Sequence, residues 1–165
     1  MGHSHSRRES PGYYLYIALS EGPPGERPHV GLIVGRQGDK TAKGYLYHAK
    51  ITTQANQRVW IAETKELKTE PSRTFLVRVV VGEVRDHKRL AQILRSTPPP
   101  EYPDRCRHWA GDAYGAACVD SKALREHAGG WNNIYEVAFR HAATQRGNQH
   151  EPATYDMLEH RWISS

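Results

Sequence analysis

Cysteine is scarce in this 165-residue chain: there are two, Cys106 and Cys118. Two are too few for the disulfide framework on which small secreted domains rely. Long apolar runs are also missing. The longest, Val30 to Val34, is strand-sized, whereas a membrane-spanning helix needs about 20 apolar residues. Met1 to Ser10 is polar and carries Arg7 and Arg8; without an apolar stretch or a small-residue cleavage site it does not read as a secretory signal. Residues 1–10 are expected to form a flexible tail ahead of a single domain over residues 11–165, a length that suits one domain of roughly 100–200 residues. These absences point to a reducing, cytoplasmic setting in which a thiol stays free. No Lys-Ser/Thr follows Gly35, Gly38 and Gly44 at P-loop spacing, so no phosphate-cradling loop is expected. No CxxC or HxxxH cluster is present, and neither a metal nor a cofactor is expected. The 23 Lys and Arg against 18 Asp and Glu leave a formal charge of +5. The basic residues are scattered, which reads as a solvated surface and not as a nucleic-acid footprint.

Hydrophobic residues make up 38% of the chain, enough for one modest core. The first half reads as strands: Tyr13 to Leu19, His29 to Gly35, Gly44 to Ile51, Arg58 to Glu63 and Thr74 to Val81. Gly and Pro concentrate between the first two, at Ser20 to Pro28, which marks a loop. Strands at such short spacing predict an antiparallel sheet. The second half turns helical. Asp86 can cap a helix over His87 to Arg95, and Asp104 stands where the cap of a helix over Arg105 to Cys118 should be. In that second helix Cys106, Trp109, Ala110, Ala113 and Ala117 share one face. Asp120 and Ser121 are expected to open a short helix that Gly129 and Gly130 end, before an amphipathic helix over Trp131 to Ala143. A polar linker and an apolar patch from Met157 to Ile163 close the chain. The expected architecture is α+β, one antiparallel sheet with helices packed on a face.

Two features carry chemistry. Cys106 falls near the start of a helix that follows the stiff segment Thr97 to Pro103, where unpaired N–H groups and the helix dipole stabilise a thiolate. Its own N–H is free to serve as an oxyanion donor. The competing reading is a buried structural cysteine, which fits Cys118 better. His29 opens the second strand and His48 lies within the third; pairing of those strands makes the two near neighbours, one as a base and the other orienting it. Trp109 reads as core, His108 turns away from the face of Cys106, and Asp112 and Asp120 read as partners of local arginines.

The wording of these segments resembles the NlpC-type cysteine peptidase superfamily. A base histidine there opens a strand written like His29-Val30-Gly31-Leu32-Ile33-Val34-Gly35, and an orienting histidine sits in a segment like Tyr47-His48-Ala49. The nucleophile opens a helix, as in Asp104-Arg105-Cys106-Arg107-His108-Trp109. Cysteine follows the histidines, the order of the circularly permuted branch, which includes the PPPDE peptidases and lecithin:retinol acyltransferase-like proteins; the layout is also similar to small fungal proteins. The resemblance implies a papain-like fold and a thiol hydrolase or acyltransferase, acting on a peptide, acyl or other small-molecule substrate through Cys106, His29 and His48. Arg105 stands where acyltransferase relatives usually carry asparagine, and Tyr102, Tyr14 and Tyr16 are the candidate oxyanion donors. The alternatives are a non-catalytic interaction module on the same fold and, below it, a zinc site built from His29, His48 and Cys106.

Overall fold

A computed structural model describes residues 12–36, 44–67, 75–146 and 153–163. The expected tail over residues 1–10 lies outside the described residues. Five strands come first: β1 (Tyr13–Ser20), β2 (His29–Arg36), β3 (Gly44–Gln54), β4 (Gln57–Leu67) and β5 (Phe75–Val84). Then follow α1 (His87–Ser96), α2 (Cys106–Val119), β6 (Leu124–His127), α3 (Trp131–Thr144), β7 (Ala153–Asp156) and β8 (Arg161–Ile163). The α+β expectation holds, in one sheet of order β4-β3-β2-β1-β5-β7-β8, with β6 also paired to β5.

The sheet is mixed, not wholly antiparallel. β7 runs parallel to β5, with Val77 to Val80 opposite Ala153 to Asp156, because the chain returns to that edge after crossing in α3. A parallel neighbour requires such a crossover. β6 takes the remainder of the same edge, opposite Gly82 to Val84. The short helix expected after Asp120 is therefore a turn and a strand. The Asp120 carboxylate accepts from the N–H groups of Lys122 and Ala123, both at 2.9 Å, which closes a side-chain turn in place of a helical one. The apolar patch near the C-terminus contributes to the β7–β8 hairpin, with Tyr155 opposite Trp162.

β1 lies between β2 and β5, covered on both faces, and its buried run of Leu15 to Ser20 follows from that position. Leu15, Ile17 and Leu19 join Val30, Leu32, Val34, Tyr47 and Ala49 in the larger core, together with the buried faces of the helices. Tyr16, Ala18, Ile33, Leu46 and Val80 form a smaller cluster on the alternate positions of the same strands. α2 packs against β2 and β3, and α3 against β5 and β1.

α2 begins one residue later than the sequence suggested. Arg105 is the cap, Asp104 sits in the preceding turn, and Cys106 is the first helical residue. The Arg105 N–H donates to His108 Nδ1 at 2.8 Å, tying off one end group of the helix. Cys106, Trp109, Ala110, Ala113 and Ala117 are all buried on one face, and three alanines let the helix lie close to the sheet. The Trp109 Nε1–H donates to the Thr97 carbonyl at 3.0 Å, fastening the proline-rich connection that leads into α2. Trp109→Ala should cost about 3–5 kcal/mol of folding stability, read by urea unfolding. Val119→Ala, at an 87% exposed position of the same helix, should change stability by no more than about 0.5 kcal/mol.

Candidate functional site

The β3–β4 hairpin sets the register on which the site depends. Ala55 and Asn56 have φ of 48° and 64°, the left-handed pair of a type I′ turn whose twist suits a two-residue hairpin. From that turn the pairing runs back without a bulge, and His48 faces Glu63. In the next pair His48 lies opposite Gly31, so His29 is its diagonal neighbour on β2, within reach of a ring.

The side chains close this arrangement. His48 Nε2 lies 2.9 Å from Glu63 Oε1, and His29 Nε2 lies 2.8 Å from His48 Nδ1. The two rings meet edge-on, with centroids 5.0 Å apart. A carboxylate only accepts, so His48 Nε2 carries a proton and donates it to Glu63. An Nε2–H on His29 donating to His48 Nδ1 completes the relay and leaves the His29 Nδ1 lone pair uncommitted within it. Lys50 Nζ lies 2.6 Å from Glu63 Oε2. Hydrogen bonds from Lys50 and then His48 hold the Glu63 carboxyl below its usual range. The His29 imidazole is pushed down to about 4, first by burial and then by the like charge of His48. It is neutral at pH 7 and able to take a proton.

His29 and Cys106 line one cleft of about 490 Å³, together with Lys50, Ile51, Arg58 and Trp60 of the β3–β4 hairpin, the cap Arg105 and Arg107 of α2, and Tyr135 of α3. Lys50 and Ile51 are consecutive, so their side chains leave opposite faces. The cleft therefore lies across the strand ends, where residues from both faces can meet. That explains how His29, on the strand positions opposite to those of Val30 and Leu32, shares a cleft with Cys106 from the helical side. Cys106 is a free thiol, 9% exposed, and among the described residues no hydrogen bond joins it to His29. Cys118, also free, is half-buried, and burial pushes its thiol up. A larger cleft, about 1290 Å³, opens at the other ends of the strands between Tyr13, Tyr47 and His87, and contains neither Cys106 nor His29.

The three expected site residues thus divide into a bonded pair, His29 and His48, and a thiol on the wall of the cleft that His29 lines. Glu63 was missed. The signal for it was the Ala55-Asn56 turn, from which counting outward puts residue 63 opposite residue 48. Of the expected oxyanion donors, Tyr102 is 92% exposed, while Tyr14 and Tyr16 belong with the smaller apolar cluster. Tyr135 is the tyrosine that lines the cleft. Among the described residues no group of three or more His, Cys, Asp or Glu side chains converges to hold a metal ion. None of the described helices is long and apolar enough to cross a membrane.

Residues 13–163 match a family of unknown function (DUF6914), and the chain belongs to that family. The match spans every strand and helix described above. No curated protein and no solved structure matches the chain.

The depressed His29 imidazole makes stability depend on pH with a definite sign. Unfolded, His29 titrates near 6.5; folded, near 4. As pH falls from 6.5 towards 4 the unfolded chain takes up a proton that the folded chain refuses, and stability falls, by about 3 kcal/mol at most. Above 6.5 the group is neutral in both states and contributes nothing to the slope. Urea unfolding between pH 7 and pH 4 should show this loss, and His29→Gln should remove it from the slope. Parallel slopes in the two proteins would contradict the assignment.

Proposed function

We propose that the protein is a thiol-dependent hydrolase or acyltransferase acting on an amide, ester or thioester through an acyl-Cys106 intermediate. In this reading the fold is papain-like and circularly permuted, with its histidine strands ahead of its cysteine helix. The observation that carries the proposal is that Cys106 and His29, the end of the Glu63–His48–His29 relay, line one cleft. The chain order β2, β3, α2 supports the permuted layout.

The chemistry follows from the protonation pattern. At neutral pH His29 carries no charge, so the starting pair is a thiol and a neutral imidazole. As Cys106 Sγ attacks the carbonyl carbon, His29 Nδ1 takes the thiol proton. The imidazolium keeps its Nε2–H on His48, and Glu63 holds His48 in the tautomer that can accept it. The Cys106 N–H, at the first helical position, lacks an intrahelical acceptor and can donate to the oxyanion. The tetrahedral intermediate collapses, the leaving amine or alkoxide takes the proton from Nδ1, and an acyl thioester remains. Water, or another acceptor, then loses a proton to His29 as it attacks, and the thiol is restored. A second reading, a non-catalytic binding module on the same cleft, draws on the low exposure of Cys106.

Reaction with p-nitrophenyl acetate separates the two readings. A burst of p-nitrophenol with an acetyl group on the Cys106 peptide is expected, and Cys106→Ala should abolish it. His29→Ala should slow acetylation about 10²- to 10⁴-fold, and Glu63→Gln by a smaller factor. Acetylation that proceeds equally at Cys118, or at an unchanged rate in His29→Ala, would favour the binding module.

A further inference from the structure

The cleft that holds Cys106 is strongly one-signed. Its lining includes Arg27, Lys50, Arg58, Arg105 and Arg107 against Glu26 as the one carboxylate. Two of the five cations are engaged: Lys50 is paired with Glu63, and the Arg27 guanidinium lies 5.6 Å from the centroid of the Phe139 ring. Arg58, Arg105 and Arg107 have no carboxylate partner among the described residues. They come from two separate elements. Arg105 and Arg107 flank Cys106 at the start of α2, and Arg58 extends from the β3–β4 hairpin. The larger cleft at the other strand ends is less one-signed: Glu66 and Asp86 face Arg36, Lys88, Arg89 and Arg95, and Arg89 is paired with Asp120. The excess at the thiol cleft is the larger of the two.

Arg58, Arg105 and Arg107 outnumber the one carboxylate of the lining, Glu26, and a planar donor fork is matched to the oxygens of a carboxylate or phosphate. A volume of about 490 Å³ falls in the range of small-molecule sites, roughly 300–1,000 Å³, too small for a nucleic-acid strand to be the occupant. We infer that the substrate of this cleft is a small acyl compound bearing an anionic group, a carboxylate or phosphate, held by Arg58, Arg105 and Arg107 beside Cys106. This inference rests on the reading of the cleft as an acyl site and names the substrate class for it.

Charge-matched alkylating agents test it separately from the thiol chemistry. Iodoacetamide and iodoacetate attack the same sulfur and differ in one negative charge. At low ionic strength the ratio of iodoacetate to iodoacetamide rates at Cys106 should exceed that of N-acetylcysteine by about tenfold. The excess should shrink with added salt and in Arg58→Gln and Arg107→Gln. Normal iodoacetamide labelling with no excess would overturn the anion inference and leave the nucleophile standing. If neither reagent labels Cys106, the nucleophile reading fails, and thermal unfolding in inorganic phosphate and in succinate decides the anion question. A saturable rise in Tm that Arg58→Gln and Arg107→Gln abolish supports the inference, and the more effective anion identifies the group. No rise with either anion overturns it.

Discussion

The hydrogen bonds from His48 to Glu63 and from His29 to His48 cross three neighbouring strands, and the local geometry of those strands is arranged around them. β3 and β4 must pair in one register, because a slip of one residue would turn Glu63 to the other face. The left-handed Ala55 and Asn56 fix that register. Between β2 and β3 the constraint is space. A Cβ on Gly31 would lie 2.8 Å from Leu46 Cδ1 and 3.2 Å from His48 Cβ, so a side chain there would press on the strand that carries His48. The buried alternation of Val30, Leu32 and Val34 into the helical core then holds β2 itself.

The same chain of contacts governs the electrostatics. A part-buried imidazole resists charge, and here a second imidazole beside it adds to that resistance. His29 alone would be a weak base. In the proposed reaction the relay would offset this: the new imidazolium would donate to His48, whose other nitrogen is already fixed by a carboxylate. Lys50 keeps that carboxylate ionised and tethers it from the far side. Around this neutral centre the unmatched arginines of the cleft set a positive field.

Much of this fold was legible in the sequence, and the reasons for the gaps are physical. The strands from Tyr13 to Val81 and the helices after Asp86 and around Cys106 announce themselves by apolar period and caps, and the structure places them within a few residues of expectation. β6 was misread as helix because Asp120 can begin either; the unpaired edge of β5 decided the matter, and that edge is a long-range fact. The parallel β7 was hidden for the same reason. His29 and His48 were expected to meet and do. Glu63 escaped because it looks like any exposed glutamate on an edge strand until the turn at Ala55-Asn56 is recognised. The cation cluster escaped because Arg58 is distant in sequence from Arg105 and Arg107. Only the folded hairpin brings them to one cleft.

The claim on which the rest stands is that Glu63, through His48, presents a bare Nδ1 on His29 at neutral pH. Proton–nitrogen correlation NMR of the histidine rings reads this directly. His29 should appear as the Nε2–H tautomer at pH 7 and keep that form until the pH nears 4, and Glu63→Gln should disturb both rings. A proton on His29 Nδ1 at pH 7, or titration of His29 near 6.5, would contradict the relay, and the assignment of His29 as the base for Cys106 would fall with it.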